Sequence, residues 1–374
     1  MKFWNLIPHV METRNEFIPF SISHPGEILA AELKERGIRQ KDFSAEIGMQ
    51  PPHLNSLIKG RMDISEKIAE KLEKALGIPA IEWINMQSKY SYYKRKIEER
   101  GKEEAAAAQK EIELRATVNL KAIYDAFCID FTSASKRLAK LSSFGNISEL
   151  GGLEMCCGGY FKKSDRCQVD EKNMRTWLFI AKCKAAKQSG ADEFGDGAVE
   201  DAASRIAGLA NSGTLTTEKI HDILAECGIA YLNVPKLEKT PIDAFSTKME
   251  DRCAIVVTYR HNDLDKLAFD VLHELGHISL HLKESGQSFI ASDCVDKDRS
   301  EKEADAFAEE HLIPSDVWKK IKSQEAASLN PYRVVSAIAE NAKRFGISPS
   351  IAVSRYKHDT DKYDIPKYRS PKIF

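Results

Sequence analysis

The heptapeptide VLHELGH at residues 271–277 constrains this chain more than any other feature. His273 and His277 are four residues apart, so on an α-helix they stand one turn apart on one face, near enough for both imidazoles to share a cation. Glu274 lies between them and projects towards the position that water would take on such an ion. These are the parts of a zinc hydrolase: zinc brings the pKa of a bound water towards about 7, and a carboxylate beside it can move its proton. The surrounding residues place the motif on a helix from about Lys266 to Leu282.

A catalytic zinc site needs a third protein ligand and an open fourth position. His281 lies one further turn along the same helix, and one ion can hardly bind three successive turns. The segment EKEADAFAEE at 301–310 offers better candidates on a helix from about Ser300 to Leu312, ended by Pro314. Glu301, Ala304, Asp305 and Ala308 fall on one face, and the small alanines would let that helix approach the first. Glu303 points roughly 140° away from Ala308, at 100° per residue. Spacing favours Glu301 and leaves Glu303 as the alternative; Asp305 would then orient a histidine through its other ring nitrogen. Upstream, IAYLNV (229–234) and CAIVVTYR (253–260) are rich in β-branched and aromatic residues between turn signals and are expected to be strands, which makes this last third an α+β domain.

The chain also carries a different signature near its start. Residues 24–88 read as five short helices. Ile28, Leu29 and Leu33 recur at helical spacing before Gly37; Gln40–Ile47 form a second helix closed by Gly48. Pro51 and Pro52 open a third, which stops at Gly60; Ile68, Leu72, Ala75 and Leu76 line a fourth, and a fifth begins near Ile81. The second and third helices, joined by a short turn, have helix-turn-helix proportions. Gln50, Pro51, Pro52, His53 and Ser56 are then placed to meet base edges of double-stranded DNA, with Gln40, Lys41, Lys59 and Arg61 placed to hold phosphates. Residues 26–76 hold nine Lys/Arg and nine Asp/Glu. Phosphate neutralisation drives such binding, so a charge-balanced module predicts modest affinity unless it dimerises; a homodimer reading two half-sites is the expectation.

Length and composition set the frame for both signatures. A chain of 374 residues implies two or three domains, and its net charge of -1 leaves a nucleic-acid partner to be decided by charge distribution. No apolar run reaches membrane-spanning length, and the first residues, MKFWNLIPHVMETRNEF, lack the features of a secretion signal. A cytoplasmic protein is expected. The eight cysteines then read as reduced thiols, including Cys156, Cys157, Cys167 and Cys183, whose spacing matches no Cys-x-x-Cys metal pair. The expected order is a helix-turn-helix domain over 1–88, a charged helical linker over 89–130 with Gly101 a weak point, a helical middle segment over 131–215 and a metallopeptidase domain over 216–374.

Two resemblances bear on these readings. TYRHNDLDKLAFDVLHELGHISLHL followed by EKEADAFAEEHLIP resembles the ImmA/IrrE family of metallopeptidases, with its HELGH-type helix and E-x-x-A-[ND]-x-F-A helix. That resemblance implies a zincin-like fold, His273, His277 and Glu301 as zinc ligands, and Glu274 as general base; Asp305 stands where the family often has asparagine. HPGEIL at 24–29, the helix-turn-helix with KGRMDIS, and IEWINMQSKY at 81–90 resemble the HigA-type antitoxin branch of the lambda-repressor-like proteins. Pro51 and Ser56 depart from it, because arginine is common at those places. FGNISEL and GGYFKKS resemble what joins such modules in related fusions. Together the resemblances imply a DNA-binding regulator whose zinc domain cleaves a regulatory protein. The alternative they imply is an antitoxin and autorepressor that sequesters a small toxin, with a zinc domain used for binding or sensing.

Overall fold

The computed structural model describes residues 18–147, 169–188, 197–249, 252–283, 288–291, 299–323, 331–362 and 368–373. It divides into two compact units, Met1–Gln109 and Lys110–Phe374. In the first unit, α1 (Pro25–Glu35), α2 (Gln40–Glu46), α3 (Pro51–Ile58) and α4 (Glu66–Leu76) surround a core of Leu29, Leu33, Phe43, Leu54, Leu57 and Leu72. The turn between α2 and α3 passes through Gly48 at φ 58°, a left-handed conformation that side chains with a Cβ rarely take. Leu29 and Leu33 are buried as their spacing predicts, whereas Ile28 is 40% exposed and lies off the core stripe.

The fifth helix is longer than expected. α5 (Ala80–Thr117) is one 38-residue helix, so the predicted fifth helix and linker helix are a single element. Gly101 does not break it: the run EEAAAAQK after it consists of strong helix formers. Trp83 is fully buried in the core of the first unit. Gln87 ties the helix to the loop before α4, accepting from the Ile64 N–H at 3.0 Å and donating to Asp63 at 3.0 Å.

The second unit is built on a four-stranded sheet, in the order β1 (Ile229–Asn233), β3 (Cys253–Val257), β2 (Ala244–Lys248), β4 (Ser288–Ala291). β1 runs parallel to β3, and β2 is antiparallel to both β3 and β4. β1 and β3 are the two strands that the sequence signals; β2 and β4 escaped notice because AFSTK and SFIA are short and lack an apolar–polar alternation. β3 is buried along its whole length because both faces of the sheet are covered. Ile229, Tyr231, Ala244 and Ile255 face one apolar cluster; Ala230, Phe245, Ala254 and Val256 face another, as the two-residue period requires. The second cluster is covered by α8 (Glu171–Lys187), with α6 (Leu120–Ala126) and α7 (Ala134–Ser142). The first is covered by α9 (Ala198–Asn211), α10 (Thr217–Glu226) and α11 (Leu264–Leu280). α12 (Arg299–Leu312), α13 (Ser315–Ser323), α14 (Pro331–Arg344) and α15 (Pro349–Thr360) complete that layer. The architecture is therefore helical at the N-terminus and α+β beyond it. Cys183 is a buried free thiol on α8, as are Cys227 and Cys253 elsewhere; Cys156, Cys157, Cys167 and the middle-segment motifs lie outside the described residues.

Candidate metal centre

α11 is buried almost all round, from Leu264 to Ile278, so its histidines are core residues rather than surface ones. Its partner α12 runs against it at very short range. A Cβ at Gly276 would lie 3.0 Å from the Ala304 Cα and 3.1 Å from the Phe307 Cβ, so any other residue would push against the neighbouring backbone at this approach. Ala304 and Ala308, both fully buried, supply the small surface on the other side. Glu301 is thereby brought to the histidines. Its carboxylate oxygens lie 3.3 Å from His273 Nε2 and 3.2 Å from His277 Nε2, and the two Nε2 atoms are 3.0 Å apart. Two imidazoles and one carboxylate converging on a point form a donor set suited to a borderline cation such as zinc.

The other ring nitrogens are engaged as well. His273 Nδ1 lies 3.0 Å from Asp305 Oδ1. His277 Nδ1 lies 3.1 Å from His281 Nδ1, whose Nε2 reaches Glu303 at 3.0 Å; Glu303 in turn accepts from Arg299 at 2.7 Å. Glu303, the alternative third donor, thus belongs to an outer chain through His281, because it lies on a different face of α12 from Glu301. The Phe289 ring on β4 stacks on His277 at 4.2 Å between centroids and 9° between planes. Sequence reasoning missed Phe289, since β4 carries no signal, and considered His281 only as a direct ligand.

Glu274 is fully buried on the sheet-facing side of α11. Opposite it, Ser246 of β2 shares the sheet face of Ala244 and pairs with Phe289 in the β2–β4 register. The Ser246 hydroxyl approaches the carboxylate, though neither group meets standard hydrogen-bond geometry. Burial pushes the Glu274 carboxyl up to about 8, against the opposing influence of His273 and Ser246. For His273, burial favours the neutral ring, but bonds to Asp305 and Glu301 outweigh it and raise the pKa to about 10. Burial lowers that of His277. Burial opposes ionisation of Glu301 too, yet its bonds to both rings hold it down at about 2.

A second group of donors, Glu309, His358 and Asp359, is of a different kind. Arg355 lies 3.3 Å from Glu309, and Lys322 lies 3.1 Å from Asp359, so protein cations already attend those carboxylates.

In the first unit, Gln50 precedes α3 and Pro51, Pro52 and His53 form its first turn; all four are exposed, and Ser56 is half-buried one turn later. Gln40 and Lys41 begin α2, and Lys59 and Arg61 follow α3, each exposed.

Comparison with known proteins agrees with both units. Residues 29–83 match a helix-turn-helix family, and residues 229–357 match the IrrE N-terminal-like domain of a peptidase family. The chain therefore carries a DNA-binding-type helix-turn-helix domain and a domain of metallopeptidase-type fold. Virulence-associated protein I of Dichelobacter nodosus is 32% identical over 68 residues, which span 18% of this chain and 63% of that protein, under two thirds of its length. Among solved structures, an addiction module antidote protein of the HigA family from Coxiella burnetii is 26% identical, covering 21% of this chain and 87% of its own, with a TM-score of 0.20. A candidate antidote protein of a plasmid maintenance system from Nostoc punctiforme is 27% identical, covering 26% and 97%, with a TM-score of 0.19. Among the described residues, no helix is long and apolar enough to cross a membrane.

Proposed function

We propose that this protein is a DNA-binding regulator whose C-terminal domain is a zinc-dependent endopeptidase acting on a regulatory protein. The observation that carries the reading is the convergence of His273, His277 and Glu301 beside a buried carboxylate, Glu274. The donor chemistry fits zinc, and the outer contacts of His273 and His277 to Asp305 and His281 are of the kind that orient metal-binding imidazoles. When bound, zinc supplies Lewis acidity to the scissile carbonyl and to a water molecule. Glu274 accepts the proton of the attacking water and delivers it to the leaving amine nitrogen. Phe289 and the sheet behind α11 keep the His277 ring from turning, so the donors hold their directions.

The helix-turn-helix domain binds operator DNA as a homodimer in this reading. Gln50, His53 and Ser56 face the bases, and Pro51 and Pro52 offer only apolar contact; Gln40, Lys41, Lys59 and Arg61 reach phosphates. Supporting boundaries are 1–88 for this domain and 216–374 for the peptidase, in a cytoplasmic protein. A second reading is an antitoxin-like autorepressor that sequesters a small toxin, with a zinc domain used for binding or sensing; it rests on the resemblance of HPGEIL, KGRMDIS and IEWINMQSKY to HigA-type antitoxins.

The deciding experiment compares new protein termini, by mass spectrometry, in native-host lysate treated with zinc-loaded wild type or Glu274→Gln, with and without chelator. Termini that arise only with zinc-loaded wild type establish the peptidase and identify its substrate. Identical profiles in every arm turn the assignment towards the autorepressor.

A further inference from the structure

The metal-site seam between α11 and α12 continues into a cavity of about 820 Å³. Phe269, one turn before His273, and Glu309, one turn after Asp305, stand in its lining, while none of the proposed metal-site residues does. α15 and the C-terminal segment 368–372 close the remaining walls. That segment is held in place by three contacts. The Leu264 N–H, at the start of α11, donates to the Pro371 carbonyl at 2.9 Å; the Ile373 N–H donates to Asn262 at 2.8 Å; and Lys372 pairs with Asp263 at 2.8 Å. The cavity thus lies within the second unit, with the segment 368–372 as one wall.

Its volume falls within the roughly 300–1,000 Å³ of small-molecule sites, and its chemistry has two parts. The floor is apolar, made by Phe269, Leu312, Ile313, Ile351 and Val353. The remaining lining holds five lysines and arginines against three carboxylates, and most of those cations are already engaged, Lys266 with Asp270 at 2.9 Å, Arg355 with Glu309 and Lys372 with Asp263. Of the carboxylates, Asp263 pairs with Lys372 and Glu309 with Arg355, and burial works against ionisation of Asp265. Among the cations, Arg369 is exposed on the tail and makes no hydrogen bond or ion pair with any described residue. An apolar lining with the uncommitted, exposed Arg369 beside it favours one ligand chemistry: a carboxylate on an apolar body.

We propose that this cavity is a binding site for a small apolar carboxylic acid, separate from the metal centre, with the segment 368–373 as its outer wall. The proposal goes beyond the peptidase reading and does not depend on cleavage. Ligand seated there would press on the first two turns of α11, the helix that carries His273 and His277.

The test is calorimetric titration of the full chain, with zinc and with chelator, using decanoate as probe and decylamine and decanol as charge controls. Decanoate is expected to bind saturably at one per chain in both metal states, with decylamine at least tenfold weaker. Arg369→Glu, a change at an exposed residue, is expected to weaken decanoate about tenfold, equivalent to ~1.4 kcal/mol. Val353→Phe, which fills the floor, is expected to reduce binding of decanoate and decanol alike, with thermal melting used to verify folding. Absence of saturable decanoate binding, equal affinity for decylamine, or unchanged affinity in folded Arg369→Glu would overturn the proposal. Each arm is read in chelated protein too, so failure here is distinguishable from failure of the zinc assignment.

Discussion

His273 Nδ1 lies 3.0 Å from Asp305 Oδ1, while the Nε2 atom of the same ring faces Glu301 at 3.3 Å. One imidazole is therefore gripped from both sides by carboxylates one turn apart on α12. His277 has a weaker counterpart, since its Nδ1 meets His281 rather than a carboxylate.

This asymmetry predicts unequal effects on zinc affinity. Asp305→Ala should lower affinity by about 10–100-fold, as loss of an orienting partner commonly does, and Asp305→Asn should recover much of it. His281→Ala should cost less, because His277 keeps its stacking on Phe289. Competition against a chromophoric zinc chelator measures both. Equal losses for the two alanine variants would contradict the structural difference.

Gly276 is the closest point between α11 and α12, with backbone rather than a flexible side chain opposite it. Gly276→Val should therefore destabilise by overpacking, by roughly 1–3 kcal/mol. It should also reduce zinc binding, because separating the helices withdraws Glu301 from the histidines. Thermal denaturation and zinc titration on the same sample check both outcomes. A variant with unchanged melting would show that the helices can separate freely.

The Glu274 carboxyl titrates near 8 when folded and near its ordinary 4.5 when unfolded. Between those values the folded state binds more protons than the unfolded one. The contribution of Glu274 to the stability of chelated protein should accordingly fall as pH rises from about 5 towards 8, by on the order of a few kcal/mol in total. His273 adds a loss of the same sign only above the ordinary histidine value, whereas the lowered pKa of His277 adds a gain just below it, so the difference between wild type and Glu274→Gln reports Glu274. Glu274→Gln should flatten the slope between pH 5 and 6.5, abolish cleavage and leave zinc bound. Urea denaturation across pH reads the slope; a variant with the wild-type slope would remove Glu274 as its source.

For DNA, the exposed start of α3 predicts two distinguishable phenotypes. Gln50→Ala should weaken a preferred operator by about 1–3 kcal/mol while sparing non-specific DNA. Lys59→Ala or Arg61→Ala should weaken all sequences alike and lower the salt dependence by about one ion per site. Fluorescence anisotropy at several salt concentrations separates the two. Wild-type affinity in all three variants would place the contact surface elsewhere.

Much of this protein is legible in its sequence, because the features concerned are local. Helical spacing sets His273 and His277 on one face, and the Glu301–Ala304–Asp305–Ala308 stripe sets a carboxylate beside small residues. Glycines with positive φ, such as Gly37, Gly48, Gly60 and Gly77, bracket the first four helices where the chain must turn. What spacing along one element cannot decide is which groups meet across elements. The choice of Glu301 over Glu303 became geometric only when α12 docked against Gly276. Stacking of Phe289 on His277, the Ser246–Glu274 approach and the cavity under the C-terminal segment each join residues far apart in the chain. Ile28 and α5 show the same limit from the other side: helical periodicity states that a face exists, but only packing determines whether it is covered and where a helix of good formers stops.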